Sequence, residues 1–300
     1  MEGGTRLSCC LSFDFDALSL WIGTFQSRNP SMLSRGEFGA VVIPRILRLL
    51  EAHDARVTFF IPGHTAYAYP DTVHRIQEAG HEIAHHGWVH ESPAELNRDA
   101  EREVILRGLE ALGSVLNIEP QGYRSPAAVL TENTVELLLE NGFTYDSSCM
   151  AHDFYPYYLR TGDVIAPDAA YVFGPTTELI EAPFSWALSD FTRFEVVWGQ
   201  NPGFSNPSMV REIWQGEFDY AYRDSEGGAY ILTLHPQVIG RGHRMLMLEA
   251  LLEYIASHAG VLFEPIGDYV ERWRTANPKD EWVRANPALA GGEWHEGATR

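Results

Sequence analysis

"LSCCLSFDFD", residues 7–16, sets an apolar run directly before two carboxylates, Asp14 and Asp16. The run is short and strand-like. Alternation along a strand places residues two apart on one face, so the two acids face the same way. Two like charges that close repel one another unless something nearby compensates them. The pattern recurs along the chain. "HEIA" precedes His85, His86 and His90, "QGY" precedes Arg124, and "AYILTL", residues 229–234, precedes His235.

Apolar runs at Leu7 to Phe13, Arg56 to Ile61, His81 to Ala84, Gln121 to Tyr123, Leu179 to Ala182, Ala229 to Leu234 and Val261 to Phe263 predict strands. Helical spacing predicts helices over Gly39 to Ala52, Glu95 to Leu116 and Arg241 to His258, with another capped by Thr131 and stopped at Gly142. The β-then-α rhythm implies a mostly parallel sheet, and about seven such units favour a barrel. Residues 1–275 read as one domain, and residues 276–300 as a loosely packed tail. There is no internal repeat.

Apolar residues make up 45% of the 300, enough for a large core. The net charge of −19 argues against nucleic acid or an anionic membrane as partner. Cys9, Cys10 and Cys149 are too few and oddly placed for a disulfide framework. They read as buried thiols in a reducing compartment. With no secretion signal or membrane-length apolar run, a cytoplasmic location is expected.

In α/β barrels the chemistry gathers at the carboxyl ends of the strands. Four strands delivering acid, imidazole and guanidinium to one rim is therefore a site pattern. His86 and His90 are four apart; on a helical turn they would share a face and grip one metal, with Asp16 or Asp14 as third ligand. The cation makes two close carboxylates tolerable. One binds it, and the other can take a proton from water. His64, His81 and His85 read as structural.

Five segments in this order resemble the polysaccharide deacetylases (carbohydrate esterase family four, with a nodulation-protein-B-like domain). They are "SFDFD", "HGWVH", "YRSPA", "APFSWALSD" and "LTLHP". The resemblance implies a distorted (β/α) barrel. It also implies Asp14 as base, Asp16, His86 and His90 as metal ligands, Arg124 steadying Asp14, and His235 as general acid. Trp186 and Asp190 would belong to the pocket. Gly87, Ala127 and Ala128 depart from the sugar-polymer members, and "TFFIPG", "GHEIAHHGWVHE" and "YDSS" resemble a cytoplasmic branch, which includes peptidoglycan-deacetylase-like proteins and relatives of allantoinases and cyclic-imide hydrolases.

The expected activity is metal-dependent hydrolysis of a non-peptide amide. Zinc is the expected metal, with iron, cobalt or nickel as alternatives. The expected substrate is a small soluble N-acyl or cyclic amide. The alternatives are an N-acetylated sugar polymer such as peptidoglycan, or a barrel that binds metal or ligand without turnover. Trp88, Tyr157 and Trp186 are candidate pocket walls, and the inserts at Leu18 to Phe38 and Cys149 to Val172 are expected to close the pocket. Ser34 to Gly39 reads as a loop over it, with Arg35 meeting an anionic substrate group or the solvent. A homo-oligomer is expected, with Phe154 to Tyr158 buried by a neighbour.

Overall fold

The computed structural model describes residues 4–197, 199 and 201–291. Nine strands form one sheet: β1 (Leu7–Asp14), β2 (Thr58–Ile61), β3 (Glu82–His85), β4 (Gly122–Tyr123), β5 (Tyr145–Asp146), β6 (Tyr157–Arg160), β7 (Thr176–Glu181), β8 (Ala229–Leu234) and β9 (Val261–Phe263). The order is β6-β7-β5-β4-β3-β2-β1-β8, with β9 on β1. All pairings are parallel except β6 with β7. The sheet curls into a distorted (β/α) half-barrel. All seven strands expected from the sequence are present. β5 and β6 are additional.

β1 is buried at every residue, as a strand covered on both faces must be. Its one edge pairs with β8 from Ser8 to Phe13. Its other edge is shared: Leu7–Cys9 pair with β9, and Ser12–Asp14 with β2. Helices Pro30–Ala52 and Gly242–Ala256 lay Val42, Ile43, Ile46, Leu248, Leu251 and Leu252 against it.

Ser34 to Gly39 is not a loop. It lies inside the helix Pro30–Ala52, which starts two residues after Arg28 because Asn29 caps it and Pro30 takes the first position. Phe154, Tyr157 and Tyr158 are buried within their own chain, so they offer no face to a neighbour. Residues 279–285 and 287–290 are two short helices rather than a loose tail. Trp282 is buried there, edge-on to Tyr158 and Trp273. The rest of the expected tail, 292–300, lies outside the described residues. Among the described residues no helix is long and apolar enough to cross a membrane.

Candidate metal and catalytic site

The chemistry-bearing residues meet where β1, β3, β4 and β8 end. Asp14 is the last residue of β1, and Asp16 follows the strand. His86 follows β3 directly, Arg124 follows β4, and His235 follows β8. The segment from His86 to His90 is not the helical turn that its spacing suggests; it is a loop. Gly87 sits at φ 74°, and His90 at φ 61°. A left-handed non-glycine residue is costly, and such conformations gather at functional sites. The loop is held from behind by Gly23, where any Cβ would lie 1.8 Å from the Val89 carbonyl oxygen.

Asp16 Oδ1 lies 3.5 Å from His86 Nε2 and 3.9 Å from His90 Nε2. Ligand atoms at about 2.0–2.2 Å around one tetrahedral ion lie roughly 3.4 Å apart. Asp16 Oδ1 and His86 Nε2 are buried with no hydrogen-bond partner among the described residues. The neighbours explain why these nitrogens point inward as acceptors. His86 Nδ1 donates to the Arg124 carbonyl at 2.7 Å. Thr24 Oγ1 donates to the His90 carbonyl at 2.8 Å, and so accepts from His90 Nδ1 at 2.6 Å. Both tautomers are fixed with Nε2 unprotonated, as a metal ligand requires. Burial keeps both rings neutral, lowering His86 to about 4 and His90 well below its ordinary value. Burial, with repulsion from Asp14, pushes Asp16 up to about 8 despite His235. A cation is what these orphaned lone pairs fit.

Asp14 is tuned the other way. Burial would raise its carboxyl, but the Arg124 guanidinium, His86 and His235 together outweigh that and hold it below the usual range. Arg124 Nη1 donates to Asp14 Oδ1 at 2.8 Å. The arginine is itself fixed by the Ser147 carbonyl at 2.9 Å and the Ser147 hydroxyl at 2.8 Å. That turn is pinned in turn by Glu181, whose Oε1 accepts from the amides of Ser148 and Cys149.

His235 faces the carboxylates, with Nε2 3.8 Å from Asp14 Oδ2 and 4.0 Å from Asp16 Oδ2. Burial would lower it, but Asp190, Asp14 and Asp16 prevail and raise it to about 9. Asp190 does not line the pocket; it stands behind His235 and accepts from its ring.

Above these groups opens a cavity of about 180 Å³ whose apolar wall includes Leu20, Phe25, Phe184, Trp186 and Phe191. Trp186, 41% exposed, stands at its mouth. Trp88 and Tyr157 do not line it. Trp88 stacks under Arg107 and against His64 and Tyr67, while Tyr157 belongs to the core, its hydroxyl accepting from the Ala151 amide. The Leu18 to Phe38 insert supplies Leu20, Thr24 and Phe25, but residues 149–172 supply nothing. Arg35 turns away to pair with Glu195. Thr24 and Ser147 escaped the sequence reading because a lone hydroxyl carries no spacing signal.

A sequence profile described as Polysaccharide deacetylase matches residues 35–145. A peptidoglycan deacetylase from Helicobacter pylori is 34% identical over 290 residues, 91% of this chain and 95% of that protein. The chain belongs to the polysaccharide deacetylase family. A crystal structure from Mycobacterium smegmatis, also classed with the polysaccharide deacetylases, is 34% identical and superposes with a TM-score of 0.80 over 92% of this chain and 93% of that one. An allantoinase structure shares the fold at 24% identity, with a TM-score of 0.77 over 93% of each chain. The polysaccharide deacetylase fold thus accounts for the half-barrel and for the rim on which the donors meet.

Proposed function

We propose that this chain is a metal-dependent deacetylase of N-acetylated sugar, of the kind found in peptidoglycan. One observation carries the reaction: Asp14 and His235 face each other beside the Asp16, His86 and His90 donors, under one cavity. The near full-length likeness to the Helicobacter pylori peptidoglycan deacetylase supports the sugar substrate over the small amide first expected from the sequence.

Asp16, His86 and His90 would hold a divalent cation, zinc by the chemistry of the set, and that ion would polarise the amide carbonyl and acidify water. Asp14, kept ionised by Arg124, takes a proton from the attacking water. The oxygen adds to the carbonyl carbon. His235, as imidazolium, gives its proton to the amide nitrogen, and the C–N bond breaks to leave acetate and an amine. Asp190 keeps His235 aimed and charged. Phe184 and Phe191 exclude bulk water, which strengthens each of these charge interactions.

A small N-acyl or cyclic amide is the second reading. It is favoured by the apolar walls of a cavity of only about 180 Å³. Acetate release by zinc-loaded protein separates the two. Deacetylation of peptidoglycan or N-acetylglucosamine oligomers supports the first. Turnover of cyclic imides or ureides, with sugar oligomers untouched, replaces it with the second.

A further inference from the structure

On the far side of Gln237 from the catalytic rim lies a separate cavity of about 120 Å³, lined by Arg35, Arg241, Arg244, Glu195 and Gln237 among others. It gathers three guanidiniums and one carboxylate. Arg35 is paired with Glu195 and donates to the Val196 carbonyl. Among the described residues Arg244 donates only to the carbonyls of Val238 and Phe194, and its buried Nε has no partner. Arg241 lies 3.7 Å over the Phe38 ring, with no ion pair among the described residues. Burial lowers both Arg35 and Arg244; the charge of Arg241 adds to this at both, and Asp190 opposes it at Arg244.

A second source of positive potential points to the same place. Arg241 is the N-cap of the 15-residue helix Gly242–Ala256. No side chain caps that helix, and no acidic residue stands in its first turn. A helix N-terminus carries roughly half a positive charge, which arginine there worsens. The chain has 41 acidic residues against 22 basic, yet none but Glu195 lines this cavity. Gln237 is 3% exposed, and its Oε1 has no hydrogen-bond partner among the described residues. As an acceptor it suits a ligand hydroxyl.

We propose that this cavity is a binding site for a small oxyanion carrying a hydroxyl, of the hydrogenphosphate or hydroxy-carboxylate type. The Arg241 and Arg244 guanidiniums take the charged oxygens, with the positive end of the helix beside them. Gln237 Oε1 accepts the hydroxyl. Gln237 Nε2 donates to Asp16 Oδ2 at 3.3 Å, so the occupant stands one side chain from the proposed metal ligand.

Inorganic phosphate is the probe, titrated calorimetrically into metal-loaded wild type, Arg241→Ala and His86→Ala. Arg241 is exposed, so its loss leaves the core intact. The site predicts binding that weakens about tenfold or more in Arg241→Ala, on the scale of a lost charge-assisted contact, and survives in His86→Ala. Binding that survives Arg241→Ala but vanishes in His86→Ala belongs to the catalytic cation and overturns the proposal, as does no binding at millimolar phosphate. A second arm, which rests on the deacetylase reading, separates the sources of the anion. A KM rise in Arg241→Ala for muramyl-containing substrate, with neutral N-acetylglucosamine oligomer unaffected, assigns the site to a carboxylate of the substrate. Unchanged KM values with phosphate binding lost assign it to a free anion.

Discussion

Asp190 holds His235 at two points: its Oδ1 accepts from the ring Nδ1 at 2.7 Å and its Oδ2 from the backbone amide at 2.9 Å. One carboxylate therefore fixes both the ring's orientation and its charge. The His235 pKa of about 9 stands above its ordinary 6.5. A raised histidine stabilises the fold fully below pH 6.5, and that contribution fades as pH rises through about 9. Activity that needs the imidazolium is lost on the same limb. Asp190→Asn should move the basic limb of kcat/KM toward lower pH, measured with the metal-loaded enzyme. A limb that stays in place would remove Asp190 from this role.

Asp14→Asn should lower kcat by about 10²–10⁴, the usual range for losing a general base. Metal content should be unchanged. Stability should fall as well, by about 3–5 kcal/mol, because Arg124 is left as a buried cation without its partner. Mutant activity near wild type, by acetate release, rules out the base assignment.

Metal binding should raise the melting temperature of the wild type, since a ligand at a hundred times its Kd adds about 2.7 kcal/mol. Asp16→Asn and His86→Ala should show no such rise and should carry no stoichiometric zinc by elemental analysis. Stoichiometric zinc retained in both variants would place the metal elsewhere.

Thr24→Val removes the hydroxyl that sets the His90 tautomer. Zinc affinity should fall about 10–100-fold, as for other residues that orient metal ligands. Competition with a chelator reads this directly. An unchanged affinity would mean that the loop backbone alone orients His90.

The strands were legible because each is an apolar run that stops abruptly at a polar residue, as β8 does at His235. The site was legible because those polar residues are the ones that strand ends deliver to a common rim. β5 is only two residues long, too short for any period to register. β6 reads as a cluster of aromatics, and only pairing with β7 makes it a strand. Ser34 to Gly39 misled because its glycines weaken helix propensity. They are there for packing: a Cβ at Gly36 would lie 2.3 Å from the Ala17 carbonyl oxygen. The His86–His90 spacing brought the two candidate ligands together through the wrong backbone, since a loop with two left-handed residues also brings side chains four apart together.

The shared edge of β1 bears on how the chain is made. This strand leaves the ribosome before the other eight, yet its pairings with β8 and β9 wait for residues 229–263. Until then one edge of an apolar strand has no partner, and such edges recruit other chains. Truncation before Ala229 should therefore yield aggregate rather than a smaller folded unit, and a chaperone that shields β1 during synthesis should raise the yield of soluble full-length protein.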